Sequence, residues 1–127
     1  YLITELSIAS TSIILWGYSI GASASIELAL NATDIAGVIL LSPPASFLRT
    51  VCWCMDKIRA PTLIAHGMLD TMVPLDHVQA LYKRCPAAVE PLWIPDVGHN
   101  NMENSAILWK RIRKFLARCG FFIVLPL

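Results

Sequence analysis

The chain has 127 residues, enough for one domain. Ten Lys and Arg against nine Asp and Glu leave a net charge of +1, so no global field draws the chain to nucleic acid. With 56% apolar and only 15% charged residues it is too rich in core-forming side chains to be disordered.

No stretch approaches the ~18 consecutive apolar residues of a membrane span. The start, Tyr1 to Leu6, has no basic segment of the kind that opens a secretory signal. The absence of an initiator Met and the apolar bulk predict a partial chain, since a small soluble domain needs polar residues to cover its large surface. The spacing of Cys52, Cys54, Cys85 and Cys119 fits neither paired zinc ligands nor a secreted disulfide framework. They are read as reduced thiols of a cytoplasmic protein with no metal and no cofactor. A four-thiolate zinc site is the alternative.

Four short apolar runs follow one another: Ser12 to Trp16, Gly37 to Leu41, Thr62 to Ala65 and Pro91 to Ile94. Each is continuous rather than alternating, the pattern of parallel strands covered on both faces. Ile20 to Leu30, with Ile26, Leu28, Ala29 and Leu30 apolar, predicts a helix that stops at Asn31. The connection Ser42 to Pro61 has no clear periodicity and is read as a loop with one helical turn at Met55 to Ile58. Val78, Leu81, Tyr82 and Cys85 recur at i, i+3, i+4 and i+7, an amphipathic helix with Pro74 near its first turn. A last helix, 104–119, is capped by Asn104 or Ser105, carries the stripe Leu108, Ile112, Phe115, Leu116 and Cys119, and stops at Gly120. An apolar tail, 120–127, follows. Strands alternating with helices predict an α/β fold of about four mostly parallel strands with flanking helices.

The first strand runs into Gly17-Tyr-Ser-Ile-Gly21 and then a helix, so strand, turn and helix occupy 12–31. This is a nucleophile elbow in its proper context. A sharp, strained turn at Ser19 requires small neighbours, which Gly17 and Gly21 supply, while Ala22 and Ala24 keep the helix start near the sheet. The helix N-terminus favours developing negative charge, and the Ile20 N–H becomes an oxyanion donor. As a lone motif, Ser19 could be a plain turn serine; its context favours the nucleophile.

A hydroxyl needs a base to take its proton. His99 lies in Val97-Gly-His-Asn100, just past the fourth strand and before the last helix. His66, at the end of the third strand, reads as a satisfied strand-end histidine, and His77, beside Asp76, as a solvated one. The acid near 70 is Asp70, in the loop after the third strand. Asp96 is too close in sequence to grip His99 from behind, and Asp76 is the weaker rival. The order Ser19 (nucleophile), Asp70 (acid), His99 (base) is that of α/β-hydrolases. Lys110, Arg111, Arg113, Lys114 and Arg118 read as the solvated face of the last helix. Peripheral contact with an anionic membrane surface, reinforced by the tail, is the alternative.

Gly17-Tyr-Ser-Ile-Gly21, His66-Gly-Met-Leu-Asp70 and above all Tyr82 to Ile94 with its Cys-Pro-Ala-Ala-Val-Glu-Pro-Leu-Trp stretch, followed by Gly98-His-Asn100, resemble the α/β-hydrolase domain-containing protein 17 family. The resemblance covers Ser12 to about Phe115 and implies the C-terminal half of an α/β-hydrolase fold, with nucleophile Ser19, acid Asp70 and base His99. It further implies a serine hydrolase on the cytosolic face of membranes that removes palmitate from S-acylated proteins. Four features of the family pattern are expected to differ: the earlier strands with the loop giving the second oxyanion N–H, an N-terminal cysteine-rich segment, the length between Ser46 and Asp56, and a polar C-terminus. Loss of one oxyanion donor costs ~10²–10³ in rate. Two alternatives accompany the thioesterase reading: an esterase, lipase or peptidase-like hydrolase with the same triad, and an inactive truncated form acting as an interaction module.

Overall fold

The computed structural model describes residues 1–32, 34–44 and 54–121. The expected shortening between Ser46 and Asp56, Cys52, and nearly all of the apolar tail fall wholly or largely outside the described residues. Four parallel strands form one sheet in the order β1-β2-β3-β4: β1 Ile14–Tyr18, β2 Gly37–Leu41, β3 Thr62–Gly67 and β4 Leu92–Ile94. Helix α1, Ile20–Asn31, links β1 to β2; α2, Leu75–Arg84, links β3 to β4; α3, Ala106–Arg118, follows β4.

The continuous apolar runs are explained by two cores. Val38, Leu40 and Ile64 face one side and pack with Ala22, Ile26 and Ala29 of α1 and Val78 and Leu81 of α2. Ile39, Leu41, Leu63, Ala65 and Ile94 face the other side and meet Leu108, Ile112 and Phe115 of α3. Successive residues of a strand point to opposite faces, so a strand covered on both sides has no place for a polar alternation. Each fully buried Leu or Ile contributes about 1.5–3 kcal/mol relative to exposure. All residues of β2 and β3 are buried, whereas β1 is an edge strand that leaves Trp16 and Tyr18 44% and 37% exposed.

The helix ends have local causes. Ser105 Oγ accepts the Leu108 N–H at 3.3 Å and caps α3. Gly120 ends that helix with φ at +86°, a conformation only glycine adopts without strain. Pro74 precedes α2, its φ of −60° already suited to a helix entry. The basic residues of α3 are exposed except Arg111, which is half-buried and lies 3.7 Å from the Glu90 carboxylate. No helix among the described residues is long and apolar enough to cross a membrane.

Some boundaries differ from those read from sequence. The first strand begins two residues later than Ser12, because Ser10–Ser12 forms a 3-10 turn closed by the Ile13 N–H on the Ser10 carbonyl. It also continues through Gly17 to Tyr18, whose ladder partner is Leu41. The turn at Met55 is a 3-10 turn, Met55–Lys57. Leu28 points away from the core and is 58% exposed, since α1 carries apolar residues on more than one side.

At the C-terminal end of the sheet, the first amide beyond each of three strands bonds the neighbouring strand. Ser19 N donates to Leu41 O at 2.9 Å, Ser42 N to Ala65 O at 3.0 Å and Met68 N to Ile94 O at 2.8 Å. The candidate site is built on this rim.

Candidate active site

Ser19 is the whole of the turn between β1 and α1. Its backbone has φ 51° and ψ −123°, a strained conformation for a residue with a Cβ. The turn is this sharp because Gly17 permits it. A Cβ on Gly17 would lie 2.4 Å from both Ala22 Cα and Gly21 O. Ala22 is buried against this point. Gly21 and Ala24 differ from expectation. Among the described residues, a Cβ on Gly21 would meet nothing within 4 Å and Ala24 is exposed, so neither position sets the helix-to-sheet distance there.

Ser19 occupies the N-cap position of α1 but makes no capping hydrogen bond. A capping serine is worth ~1 kcal/mol. That stabilisation is absent because Oγ points instead to His99 Nε2, 2.8 Å away. Ile20 and Gly21 open the helix, where backbone N–H groups have no intrahelical acceptor. The dipole of α1 therefore meets no acid in its first turn.

His99 arrives from the loop after β4. Its Nδ1 lies 2.6 Å from Asp70 Oδ2, and both residues are 9% exposed. Asp70 arrives from the loop after β3, held by two backbone donors: Met72 N and Val73 N each donate to Oδ1 at 2.9 Å. Burial pushes the Asp70 carboxyl up, but the hydrogen bonds from Val73, His99 and Met72 outweigh it and hold the group below the usual carboxylate range. An ionised carboxylate only accepts, so His99 carries its proton on Nδ1 and presents a bare Nε2 to the Ser19 hydroxyl. An imidazole so held accepts a hydroxyl proton at Nε2 while the carboxylate steadies the charge behind it. The β3 exit is tightly fitted, since a Cβ on Gly67 would fall 2.3 Å from Val97 O.

The remaining candidates lie outside the relay, although His66 Nε2 comes within 3.8 Å of Asp70 Oδ2. Asp76 and Asp96 are exposed and hydrogen-bond to none of these three residues. His77 is half-buried rather than solvated, and its Nδ1 is enclosed without a partner among the described residues. His66 is fully buried at the end of β3. Its Nε2–H donates to Val73 O at 3.0 Å, but its Nδ1 has no partner among the described residues, so it is only half satisfied there. Burial pushes its pKa below the ordinary value. Cys54, Cys85 and Cys119 are free thiols, and burial pushes Cys85 and Cys119 up, away from the reactive thiolate.

Two residues near His99 went unnoticed in the sequence. Asn101 Oδ1 accepts the Gly98 N–H at 2.8 Å and shapes the loop. The Tyr18 hydroxyl donates to the His99 carbonyl, and its ring stacks on the imidazole with centroids 5.9 Å apart. Tyr18 sits inside the elbow motif, which was the one available signal, but the motif leaves that position free.

A sequence model of the phospholipase/carboxylesterase family matches residues 2–119. The chain belongs to the phospholipase/carboxylesterase family. The curated relatives include the α/β-hydrolase domain-containing protein aho-3 of Caenorhabditis elegans, 37% identical over 89% of this chain and 38% of that protein. They also include α/β-hydrolase domain-containing protein 17C of Xenopus tropicalis, 37% identical over 90% of this chain and 41% of that protein. The resemblance carried by the motifs thus extends along the chain, which spans about 40% of these relatives. Among solved structures, a putative lipase of Acinetobacter baumannii superposes with a TM-score of 0.79 at 13% identity, over 94% of this chain and 64% of that one. An esterase of Pyrococcus furiosus gives 0.76 at 20% identity, over 94% and 58%. At these identities the likeness speaks to the fold: among the described residues, four parallel strands and three helices of an α/β hydrolase, covering part of it.

Proposed function

We propose that this member of the phospholipase/carboxylesterase family hydrolyses acyl esters through an acyl-enzyme on Ser19, with His99 as base and Asp70 as acid. One observation carries the reading: a continuous hydrogen-bonded relay, Ser19 Oγ to His99 Nε2 at 2.8 Å and His99 Nδ1 to Asp70 Oδ2 at 2.6 Å, assembled from the exits of three strands. As Ser19 Oγ attacks the acyl carbonyl carbon, its proton passes to Nε2. The carbonyl oxygen becomes an oxyanion facing the Ile20 N–H. Collapse expels the leaving thiolate or alkoxide, which takes the proton from His99. Water then gives its proton to His99 and attacks the acyl-enzyme, releasing the carboxylic acid and restoring Ser19.

The substrate class we propose is an S-acylated protein with a long apolar acyl group. Two things support it: the similarity to the domain-containing protein 17 relatives, and the residues on the segments that carry the relay. Ile20, Met68, Leu69 and Met72 flank Ser19 and Asp70 in sequence and are 47–71% exposed, an apolar rim that water does not favour. Hydrolysis of carboxylic oxyesters is the second reading, supported by the family's phospholipase/carboxylesterase description.

The test is covalent labelling by a fluorophosphonate probe, which reacts with an activated serine. Labelling of the chain that disappears in Ser19→Ala supports the reading; labelling that persists in the variant overturns it. A panel then separates the substrates: faster release from a palmitoyl-cysteine peptide than from short oxyesters supports the thioester, and the reverse supports the oxyester.

A further inference from the structure

We propose that Tyr18 is a positioning residue that fixes the His99 loop in register with Ser19. The inference deepens the hydrolase reading and rests on it for its functional meaning. Its physical content is independent of that reading.

β1 and β4 are the two edges of the sheet, with β2 and β3 between them. Ser19 leaves β1, while His99 leaves β4. With strands ~4.8 Å apart, Ser19 and His99 leave strands about 14 Å apart, a gap that the His99 loop and the two side chains close together. The loop has five residues from Ile94 to His99 and turns at 95–96 and again at 99–100. A loop that turns in this way is placed by its anchors, not by its own extension. At its near end it has two: Leu69 N donates to Val97 O at 3.0 Å, and Gly98 N to Asn101 Oδ1 at 2.8 Å. Neither holds the His99 peptide itself.

Tyr18 does. Its hydroxyl donates to the His99 carbonyl, and its ring lies on the imidazole at 5.9 Å and 25°. One side chain therefore fixes both the backbone and the ring plane of residue 99. Offset stacking at this separation is a favourable aromatic geometry. Tyr18 is in turn fixed by the ladder, opposite Leu41, and the next amide bonds Leu41 O. The elbow and its histidine thus share one rigid reference across 81 residues of chain. The phenol keeps its proton over the whole working range: burial, then the charges of Glu103 and Asp70, push its pKa above the ordinary 10.0.

The readout is the His99 Nδ1 proton, which the 2.6 Å bond to Asp70 places in the far-downfield region of the proton NMR spectrum. Its exchange with water reports how firmly the loop is held. Tyr18→Phe keeps the stacked ring and loses the donor; Tyr18→Leu loses both. Exchange about tenfold faster in Tyr18→Phe, and faster again in Tyr18→Leu, is the expected result. Because Tyr18 is 37% exposed on an edge strand, both variants keep the rest of the amide spectrum, which serves as the control for folding. An exchange rate within twofold of the parent in both variants overturns the proposal, as does absence of the resonance from the parent chain. Fluorophosphonate labelling in the same samples separates the two claims. Tyr18-dependent exchange without labelling keeps the positioning role and removes the hydrolase. Labelling with Tyr18-independent exchange does the opposite.

Discussion

Replacing Gly17 with Ala tests whether the elbow is shaped by close backbone contact. The added Cβ would sit 2.4 Å from Ala22 Cα and Gly21 O and 2.6 Å from Ala22 N, where ordinary contact begins at 3.4 Å. All three obstacles are backbone, so no side chain can swing aside. The strand and the helix start must separate by about 1 Å, which carries Ser19 Oγ from 2.8 Å beyond hydrogen-bond reach of His99 Nε2. Overpacking of this kind costs about 1–3 kcal/mol. In a domain of this size that lowers the melting temperature by roughly 3–10 °C. A 1 Å misplacement of a reacting group lowers rate by ~10²-fold. The assay pairs a thermal melt with the second-order rate of fluorophosphonate labelling, followed by intact mass. Gly21→Ala is the internal contrast, since its Cβ enters open space. It should label at the parent rate and melt at the parent temperature or slightly above, because alanine favours a helix over glycine by about 1 kcal/mol. Equal damage from the two variants, or none from Gly17→Ala, would refute the steric account of the turn.

Asp70→Asn should slow labelling ~10⁴-fold with the fold retained. The amide oxygen can still accept from Met72 N and Val73 N, but its NH₂ then faces Nδ1, forcing the proton to Nε2 and closing that nitrogen to Ser19. A rate within tenfold of the parent would count against the relay. Stability should fall as pH drops below about 6.5. His66 is held neutral in the fold with its pKa below 6.5, so the unfolded chain takes up a proton there that the folded chain refuses. A further loss comes as pH falls below about 3.8, when Asp70, whose carboxyl is held below 3.8, is protonated. Urea unfolding from pH 8 to 5 checks the first window, and His66→Gln should flatten it; an unchanged slope in that variant would assign the effect elsewhere. The open edge of β1, with Trp16 44% exposed, predicts self-association of the 127-residue chain, relieved by Trp16→Lys. A monodisperse monomer on size exclusion would contradict that.

The parts legible in the sequence are those whose cause is local. The elbow is five consecutive residues, and the strands before Asp70 and His99 announce themselves by unbroken apolar runs. The parts missed depend on contacts between distant segments. Tyr18 and His99 are 81 residues apart, and no spacing rule pairs them. Gly21 looked sterically required because the motif contains it, yet the described residues leave its side open. His77 looked solvated because it follows an aspartate in a helix start, but its ring turns into partial burial. Leu28 counts among the apolar residues of the helix pattern, and the structure leaves it 58% exposed.

The amides just past β1, β2 and β3 each bond a carbonyl of the neighbouring strand, so the ladder runs one step into the loops that carry Ser19 and Asp70. Opening either loop then requires parting the strand ends themselves. The amides of Ser19, Ser42 and Met68 should exchange on the slow timescale of whole-domain unfolding rather than the fast timescale of surface loops. Any change that loosens the domain as a whole should therefore disorder its chemistry in equal measure.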